Sequence, residues 1–304
     1  MNYGNICTIF NSDIHYFWVT VLSSNIRYNP LHTSSSLCGD ERLYMDIKSI
    51  DRAMQILFAF SIDDRMFGVS ELSERLGLNT STTHHLAASL KKWGVLEQDP
   101  ASRKYRLGIR LVELGGTLLQ SRSLARSIQP YLYHIAENIR ETAYLGVLIG
   151  GDLLNLEQVC GPHLIQYAGW QGRRTPYFCS SAGKALAAYL PPDEQDKLIE
   201  KYPLTHYTTN TIADASAFKQ HLAEIKAQGY AMSIGELDEN INAIAVPVKR
   251  LANNDAPVIA ALGVAGPAYR FTPEACRAAA AFLKSVGQEV SSKASTEDFM
   301  FLDM

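Results

Sequence analysis

The chain has 304 residues, 47% of them hydrophobic and 19% charged, an ordinary globular composition with room for two domains. No repeat with a period of about 20–50 residues and no collagen-like or low-complexity tract is visible, which excludes a solenoid and a wholly disordered chain. The formal charge of −3 divides unevenly: residues 46–126 carry 12 Lys+Arg against 9 Asp+Glu and residues 127–304 carry 14 against 19, so a mildly basic module precedes an acidic one, a pattern that points toward nucleic acid.

Residues 1–44 carry no sustained helical or strand period, and Met45 opens the first well-patterned segment. A poorly ordered extension is expected there, with Met45 as a candidate start. Its one apolar stretch, Ile14 to Leu22, is shorter than the ~18–20 residues a membrane span needs. It follows no basic segment, so neither a signal peptide nor an anchor is expected.

From Ser49 onward Ile50, Ala53, Met54, Leu57 and Phe58 recur at helical spacing behind a candidate capping serine. The spacing predicts a first helix with these residues facing the core. Ser70 then stands before a short segment with Glu71 and Glu74 in its first turn, Leu72 and Leu76 on one face and Gly77 at its end, which predicts a second helix capped by Ser70. A third helix is predicted from Thr80 to Trp93, stopped by Gly94. At about 100° per residue, Thr83, Leu86 and Leu90 share one face of it while Ser81, His85, Ala88 and Lys92 share the other.

Val95–Gln98 and Arg103–Leu107 read as two short strands around the turn Asp99-Pro100-Ala101-Ser102. A helix, a helix-turn-helix and a basic-tipped hairpin make a winged helix-turn-helix over residues 46–108, in which the third helix would enter the DNA major groove. The alternative is any small helical domain ending in a hairpin. Arg103 and Lys104 favour the DNA reading, because they sit where phosphates would be met.

A linker helix is predicted over residues 109–126, with Leu111, Leu114 and Leu118 on one side. Pro130 is expected to start the next helix. A hairpin follows at Ala143–Ile149 and Leu153–Val159, with Leu164–Ala168 as a possible third strand. Helices are predicted at Ser181–Tyr189, Pro192–Tyr202 and Ala215–Gln228, then strands at Ala243–Lys249 and Val258–Val264 around Asn253-Asn254-Asp255. A last helix begins at Pro273. The whole is an α+β protein whose second domain, residues 127–292, is built on a mostly antiparallel sheet, with residues 293–304 as a tail.

Three stretches together resemble the isocitrate lyase regulator (IclR) type of bacterial transcription factor. They are Lys48-Ser49-Ile50-Asp51-Arg52-Ala53-Met54-Gln55-Ile56-Leu57, the helix-turn-helix from Ser70-Glu71-Leu72 through Leu78-Asn79-Thr80-Ser81-Thr82-Thr83-His84-His85-Leu86, and Ser181-Ala182-Gly183-Lys184-Ala185-Leu186-Ala187. Gln228-Gly229-Tyr230-Ala231, Ile244-Ala245-Val246-Pro247-Val248 and Gly266-Pro267 add to the match. The resemblance implies a dimer or pair of dimers joined through the linker helix, a double-stranded operator of catabolic genes, and a GAF-like domain that binds a small organic acid effector. It implies no cofactor. The residues assigned to DNA on this basis are Ser70, Thr80, Ser81, Thr82, His84, His85, Arg103, Lys104 and Tyr105.

Two departures from the family pattern carry information. The recognition helix has His85 where arginine is common, which reduces fixed positive charge toward DNA. In the effector domain, members that bind small polar oxo-acids offer an aspartate, a cysteine and two serines, and matching places Ser233, Ala243, Gly263 and Ala265 there. A buried polar group left unpaired costs about 1–3 kcal/mol, so a tiny polar acid fits this chain poorly. Tyr167, Trp170, Tyr177 and Phe178 instead suggest an aromatic or larger aliphatic effector, unless they are simply core. Ser181 and Ala182 open a helix whose free N–H groups suit a carboxylate, and Tyr167 and Ile241 bound the expected lining.

The sequence admits two other function classes. Ser181-Ala182-Gly183-Lys184 satisfies the S-x-x-K pattern of serine acyl-enzymes. Its companion S-D-N and K-T-G elements are absent, as are G-x-S-x-G, Walker A and G-x-G-x-x-G, so catalysis is not expected. The other class is a winged-helix adaptor that binds only protein. The five scattered cysteines, Cys7, Cys38, Cys160, Cys179 and Cys276, show no metal-ligand spacing, and a reduced, metal-free cytoplasmic protein is expected.

Overall fold

The structure is a computed structural model that describes residues 47–61, 64–120, 124–168, 171–250 and 256–293. The predicted extension 1–44, the tail beyond Lys293 and the Asn253-Asn254-Asp255 turn lie outside the described residues.

Three helices, α1 (Lys48–Phe58), α2 (Val69–Leu76) and α3 (Thr80–Lys92), precede the hairpin of β1 (Leu96–Gln98) and β2 (Tyr105–Leu107). Two of the predicted caps differ. No side chain caps α1, which starts one residue before Ser49. At α2 the cap is Gly68, whose N–H donates to the Glu71 carboxylate at 2.6 Å, so Ser70 sits inside the first turn. Asn79 does cap α3, accepting from the Ser81 N–H at 2.8 Å. Gly77 ends α2 in the left-handed conformation, φ 62°, which lets the chain reverse into α3.

The core of this domain contains Ile56, Ala59, Phe60, Phe67, Leu72, Ala87, Leu96 and Tyr105. The predicted inner stripe of α1 is therefore only half right. Ile50, Met54 and Phe58 are exposed, Phe58 by 59%, while Ile56 is fully buried. The helix carries two apolar stripes, and spacing alone could not say which one faces inward. Phe67 pairs with Tyr105 through backbone hydrogen bonds of 2.7 and 2.9 Å, adding a bridge to the edge of the hairpin.

Over the linker the described residues form α4 (Arg110–Gln120) and α5 (Leu124–Ile139), and residues 121–123 between them lie outside the described residues. Pro130 does not start a helix; it lies inside α5. Its ring fixes a helical φ and removes one backbone donor, which this helix absorbs.

The second domain is a six-stranded antiparallel sheet in the order β5-β4-β3-β8-β7-β6, from β3 (Thr142–Ile149), β4 (Asp152–Val159), β5 (Arg174–Pro176), β6 (Ala231–Ile234), β7 (Ile241–Lys249) and β8 (Val258–Pro267). The third strand predicted at Leu164–Ala168 does not form. Arg174–Pro176 takes that edge instead. One face of the sheet packs on α5 and α9 (Pro273–Lys293) through Leu132, Ile135, Leu145, Val246, Leu262 and Leu283. The other carries α6 (Ser181–Ala187) and α8 (Ala215–Gln228), with α7 (Pro192–Lys201) between them in the chain. Alternate residues of each strand serve the two faces, so β8 gives Ala260, Leu262 and Val264 to one and Ala261 and Ala265 to the other.

Candidate DNA-binding and effector sites

On α3 the inward positions are Thr83 and Ala87, both fully buried, with Leu86 and Leu90 half-buried. Thr83 anchors the helix start by donating to the Asn79 carbonyl at 3.1 Å. Ser81, His85, Ala88 and Lys92 are left on the outside, as the periodicity predicts; His84 is also exposed and Thr82 lies at the border. The two histidine rings meet edge-on, 5.9 Å apart. Thr80 is exposed, yet its hydroxyl lies 3.2 Å from that of Ser73, which itself donates to the Leu78 carbonyl at 2.5 Å and so braces the turn. Ser70 is exposed in the first turn of α2.

The wing tip is shaped by Asp99, whose carboxylate accepts from the Ser102 N–H and hydroxyl, each at 2.7 Å. Arg103 follows at the tip, exposed and with φ 59°. Lys104 forms an ion pair with Glu71 at 2.8 Å, tying the wing to α2. That hydrogen bond, together with one from the Gly68 N–H, holds the Glu71 carboxyl below its ordinary range. Tyr105 is a correction. The sequence places it against DNA, but it is 2% exposed and belongs to the core, because β2 alternates and Tyr105 faces inward between its exposed neighbour Arg106 and half-buried Lys104.

In the second domain the sheet register sets the residues assigned to the effector side by side. Thr142 on β3 stands opposite Ala265 on β8, Ala265 opposite Ala243 on β7, and Ala243 opposite Ser233 on β6. The next row on the same face is Tyr144, Gly263, Ala245 and Ala231. Ile241 lies one row beyond Ala243 and is half-buried. The α6 helix covers these rows, with Ser181 and Ala182 fully buried, and Tyr167 packs on the same cluster from the loop after β4.

Tyr144, which the sequence reading did not single out, is central here. Its ring lies across Gly263, where a Cβ would meet the ring at 2.3 Å. Its hydroxyl lies 3.0 Å from that of Ser181 and also accepts from the Ala182 N–H. Burial pushes the phenol up to about 12, with the Ser181 and Ala182 bonds acting against that shift. Of the α6 N–H groups assigned to a ligand carboxylate, that of Ala182 is thus already partnered by a side chain. Ser233 is likewise committed, donating to the Cys179 carbonyl at 2.8 Å. Thr142 is the opposite case: it is fully buried and its hydroxyl oxygen has no hydrogen-bond partner. Trp170 lies outside the described residues.

The S-x-x-K dyad does not form. The Lys184 ammonium pairs with Glu236 at 2.5 Å and lies 3.4 Å from His221, while Ser181 turns to Tyr144. Burial lowers the Lys184 pKa and raises that of Glu236, and their mutual attraction opposes both shifts. Among the described residues no cluster of His, Cys, Asp or Glu could hold a metal ion, and no helix is long and apolar enough to cross a membrane.

Comparison with known proteins matches this architecture twice. The model of the IclR helix-turn-helix domain covers residues 49–100, and that of the bacterial transcriptional regulator IclR C-terminal domain covers residues 116–292. The chain is 33% identical over 218 residues to the HTH-type transcriptional regulator XynR of Escherichia coli, covering 72% of this chain and 85% of that protein. It is 31% identical to the glycerol operon regulatory protein of Streptomyces griseus, covering 75% and 88%. Among solved structures, an IclR regulator from Alicyclobacillus acidocaldarius superposes with a TM-score of 0.72 at 25% identity, covering 81% of this chain and 98% of that one. An IclR homologue from Microbacterium hydrocarbonoxydans, solved in complex with 4-hydroxybenzoate, gives a TM-score of 0.67 at 27% identity, covering 81% and 100%. These relatives are regulators, not enzymes, and the chain belongs to the IclR family of DNA-binding bacterial transcriptional regulators.

Proposed function

We propose that this regulator binds an operator of catabolic genes as a dimer or dimer of dimers, and that a small carboxylated effector, aromatic or aliphatic, controls it. The outward stripe of α3 carries the DNA reading. Ser81, Thr82, His84 and His85 are presented on a helix whose inner face is sealed by Thr83 and Ala87, with Thr80 at its entry, Ser70 in the first turn of α2, and Arg103 and Lys104 on the wing. Base edges are met by the helix and phosphates by the wing. The effector reading rests on the small side chains of Ala243 and Ala265, which suit a ligand with apolar bulk, whereas the space over Gly263 is taken by the Tyr144 ring. The 4-hydroxybenzoate held by one homologue supports the same ligand class.

The test has two arms. Binding to the DNA upstream of the protein's own gene is measured against salt, where affinity should fall linearly on a double-logarithmic plot because phosphates release counterions. A flat salt response points instead to a protein-binding adaptor. In the second arm, thermal shift against aromatic and aliphatic carboxylates should find a ligand that stabilises by about 2.7 kcal/mol at 100 times its dissociation constant. Glyoxylate as the best ligand contradicts the effector class.

A further inference from the structure

Buried polar side chains nearly always find a partner, because an unpaired hydroxyl gives up its water and receives nothing in return. Thr142 departs from this rule: it is 0% exposed and its Oγ1 is unpartnered. Its place in the sheet is informative. It ends the row Thr142, Ala265, Ala243, Ser233, one strand from Ala265 and on the face covered by α6. Two residues along the same strand, Tyr144 has satisfied its own hydroxyl on Ser181 and Ala182. At the other end of the row Ser233 has satisfied its hydroxyl on Cys179. Of these three hydroxyls on the floor, only that of Thr142 is free.

We propose that Thr142 is a specificity-determining residue of the effector site, its hydroxyl kept for hydrogen bonding to a polar group of the bound effector. The inference rests on the effector-site reading above and refines it. With strands ~4.8 Å apart, Thr142 and Ala243 are separated by about 10 Å of floor, whose middle is Ala265. A flat ligand with polar ends fits that arrangement: one end bonds to Thr142, while the body covers Ala265 and Ala243 beneath Tyr167. A threonine hydroxyl both donates and accepts, so it can serve a carboxylate or a phenol hydroxyl. The chemical class is therefore a small carboxylate, with or without a hydroxyl at the far end. Thr175 on the edge strand β5 is a second buried threonine whose hydroxyl has no partner, but it lies outside this row, and only Thr142 stands beside the small residues assigned to the effector.

The test uses the full chain, with Thr142→Val, which keeps the shape and removes the hydroxyl, and Thr142→Ser, which keeps the hydroxyl. The probes are benzoate and 4-hydroxybenzoate, titrated calorimetrically. Thr142→Val should melt about 2–4 °C above the wild type, since it removes an unpaired buried polar atom. It should also bind the probe about tenfold more weakly, the loss expected for one hydrogen bond. Thr142→Ser should keep probe affinity within about twofold. Equal losses for both probes identify the carboxylate as the partner of Thr142; a loss confined to 4-hydroxybenzoate identifies the phenol hydroxyl. Both results support the proposal. Unchanged affinity in Thr142→Val, or a lower melting temperature, overturns it. If the wild type binds neither probe, the aromatic effector class fails by itself. The same comparison of wild type, Thr142→Val and Thr142→Ser with the aliphatic carboxylates propionate and succinate then decides the role of Thr142, which is overturned if neither of them binds or if Thr142→Val binds unchanged.

Discussion

Tyr144 shows most sharply what one side chain decides here. Its position on a hydrophobic strand was legible, but its role depends on Gly263, which lies more than a hundred residues away and leaves room for the ring. No local pattern encodes that pairing. Because the phenol already meets the Ser181 hydroxyl and the Ala182 N–H, an effector carboxylate reaches these groups only by displacing it. Tyr144→Phe keeps the ring and releases the donors, so carboxylate affinity should rise by about five- to tenfold, near the value of one hydrogen bond. Titration of Tyr144→Phe and the wild type with the same carboxylate checks this, and equal affinities would show that the phenol does not compete. His221 offers a second prediction. Burial and then the nearby Lys184 lower its pKa, while Glu224 opposes, and Glu236 sits across the same lysine. The unfolded chain therefore binds this proton more readily. Stability is complete above the ordinary value of about 6.5 and declines as pH falls below it. His221→Gln should flatten the drop in melting temperature between pH 7 and pH 5.5, and an undiminished drop would assign the acid sensitivity to other groups.

Elements with strong period and clear punctuation were the ones most legible in the sequence. Helix α8 ends where predicted because Asp214 caps it and Gly229 stops it, and α3 follows its predicted faces closely. Edges and joins were not legible. Strand β5 has three residues and gains its place only by pairing with β4, and the short β6 likewise depends on β7. Helix α5 ends without glycine: Arg140 takes the left-handed conformation, φ 64°, with its N–H on the Ala136 carbonyl. A non-glycine residue there costs ~1–2 kcal/mol, partly offset by the greater freedom glycine would have when unfolded. Arg140→Gly should therefore stabilise by about 0.5–1 kcal/mol in denaturant melts, and a loss would mean that the arginine side chain has a duty of its own. The recognition element gives a paired prediction. Arg103→Ala should weaken all DNA sequences by a similar factor, whereas His85→Ala should change the preferred sequence. Selection from a random DNA pool separates the two effects, and an unchanged preference in His85→Ala removes that residue from base reading.

At the scale of the whole molecule, the family was legible because its motifs occur in order along most of the chain, while a contact between copies depends on which apolar side chains the fold leaves exposed. The linker seam was expected at Leu111, Leu114 and Leu118; Leu111 is half-buried, Leu114 is exposed, and the side chain of Leu118 lies outside what is described. The larger apolar surface lies on α1 and beside the linker: Ile47, Ile50, Met54 and Phe58 follow one another along one side of α1, and Ile109, Val112 and Leu114 are exposed near the start of α4. Such residues are costly to leave in water, and a two-fold operator needs two copies of the recognition helix about one turn of DNA apart. Both requirements are met if a second copy of the chain covers this surface. Charge placed on α1 should then separate the copies without unfolding them, since Ile50 and Phe58 contribute little to the inner core. The double variant Ile50→Glu, Phe58→Glu should sediment at half the wild-type mass at micromolar concentration, keep its melting temperature within a few degrees, and lose at least about a hundredfold in affinity for operator DNA. A wild type that already sediments as a monomer, or a double variant that remains a dimer, would place the self-contact elsewhere on the chain.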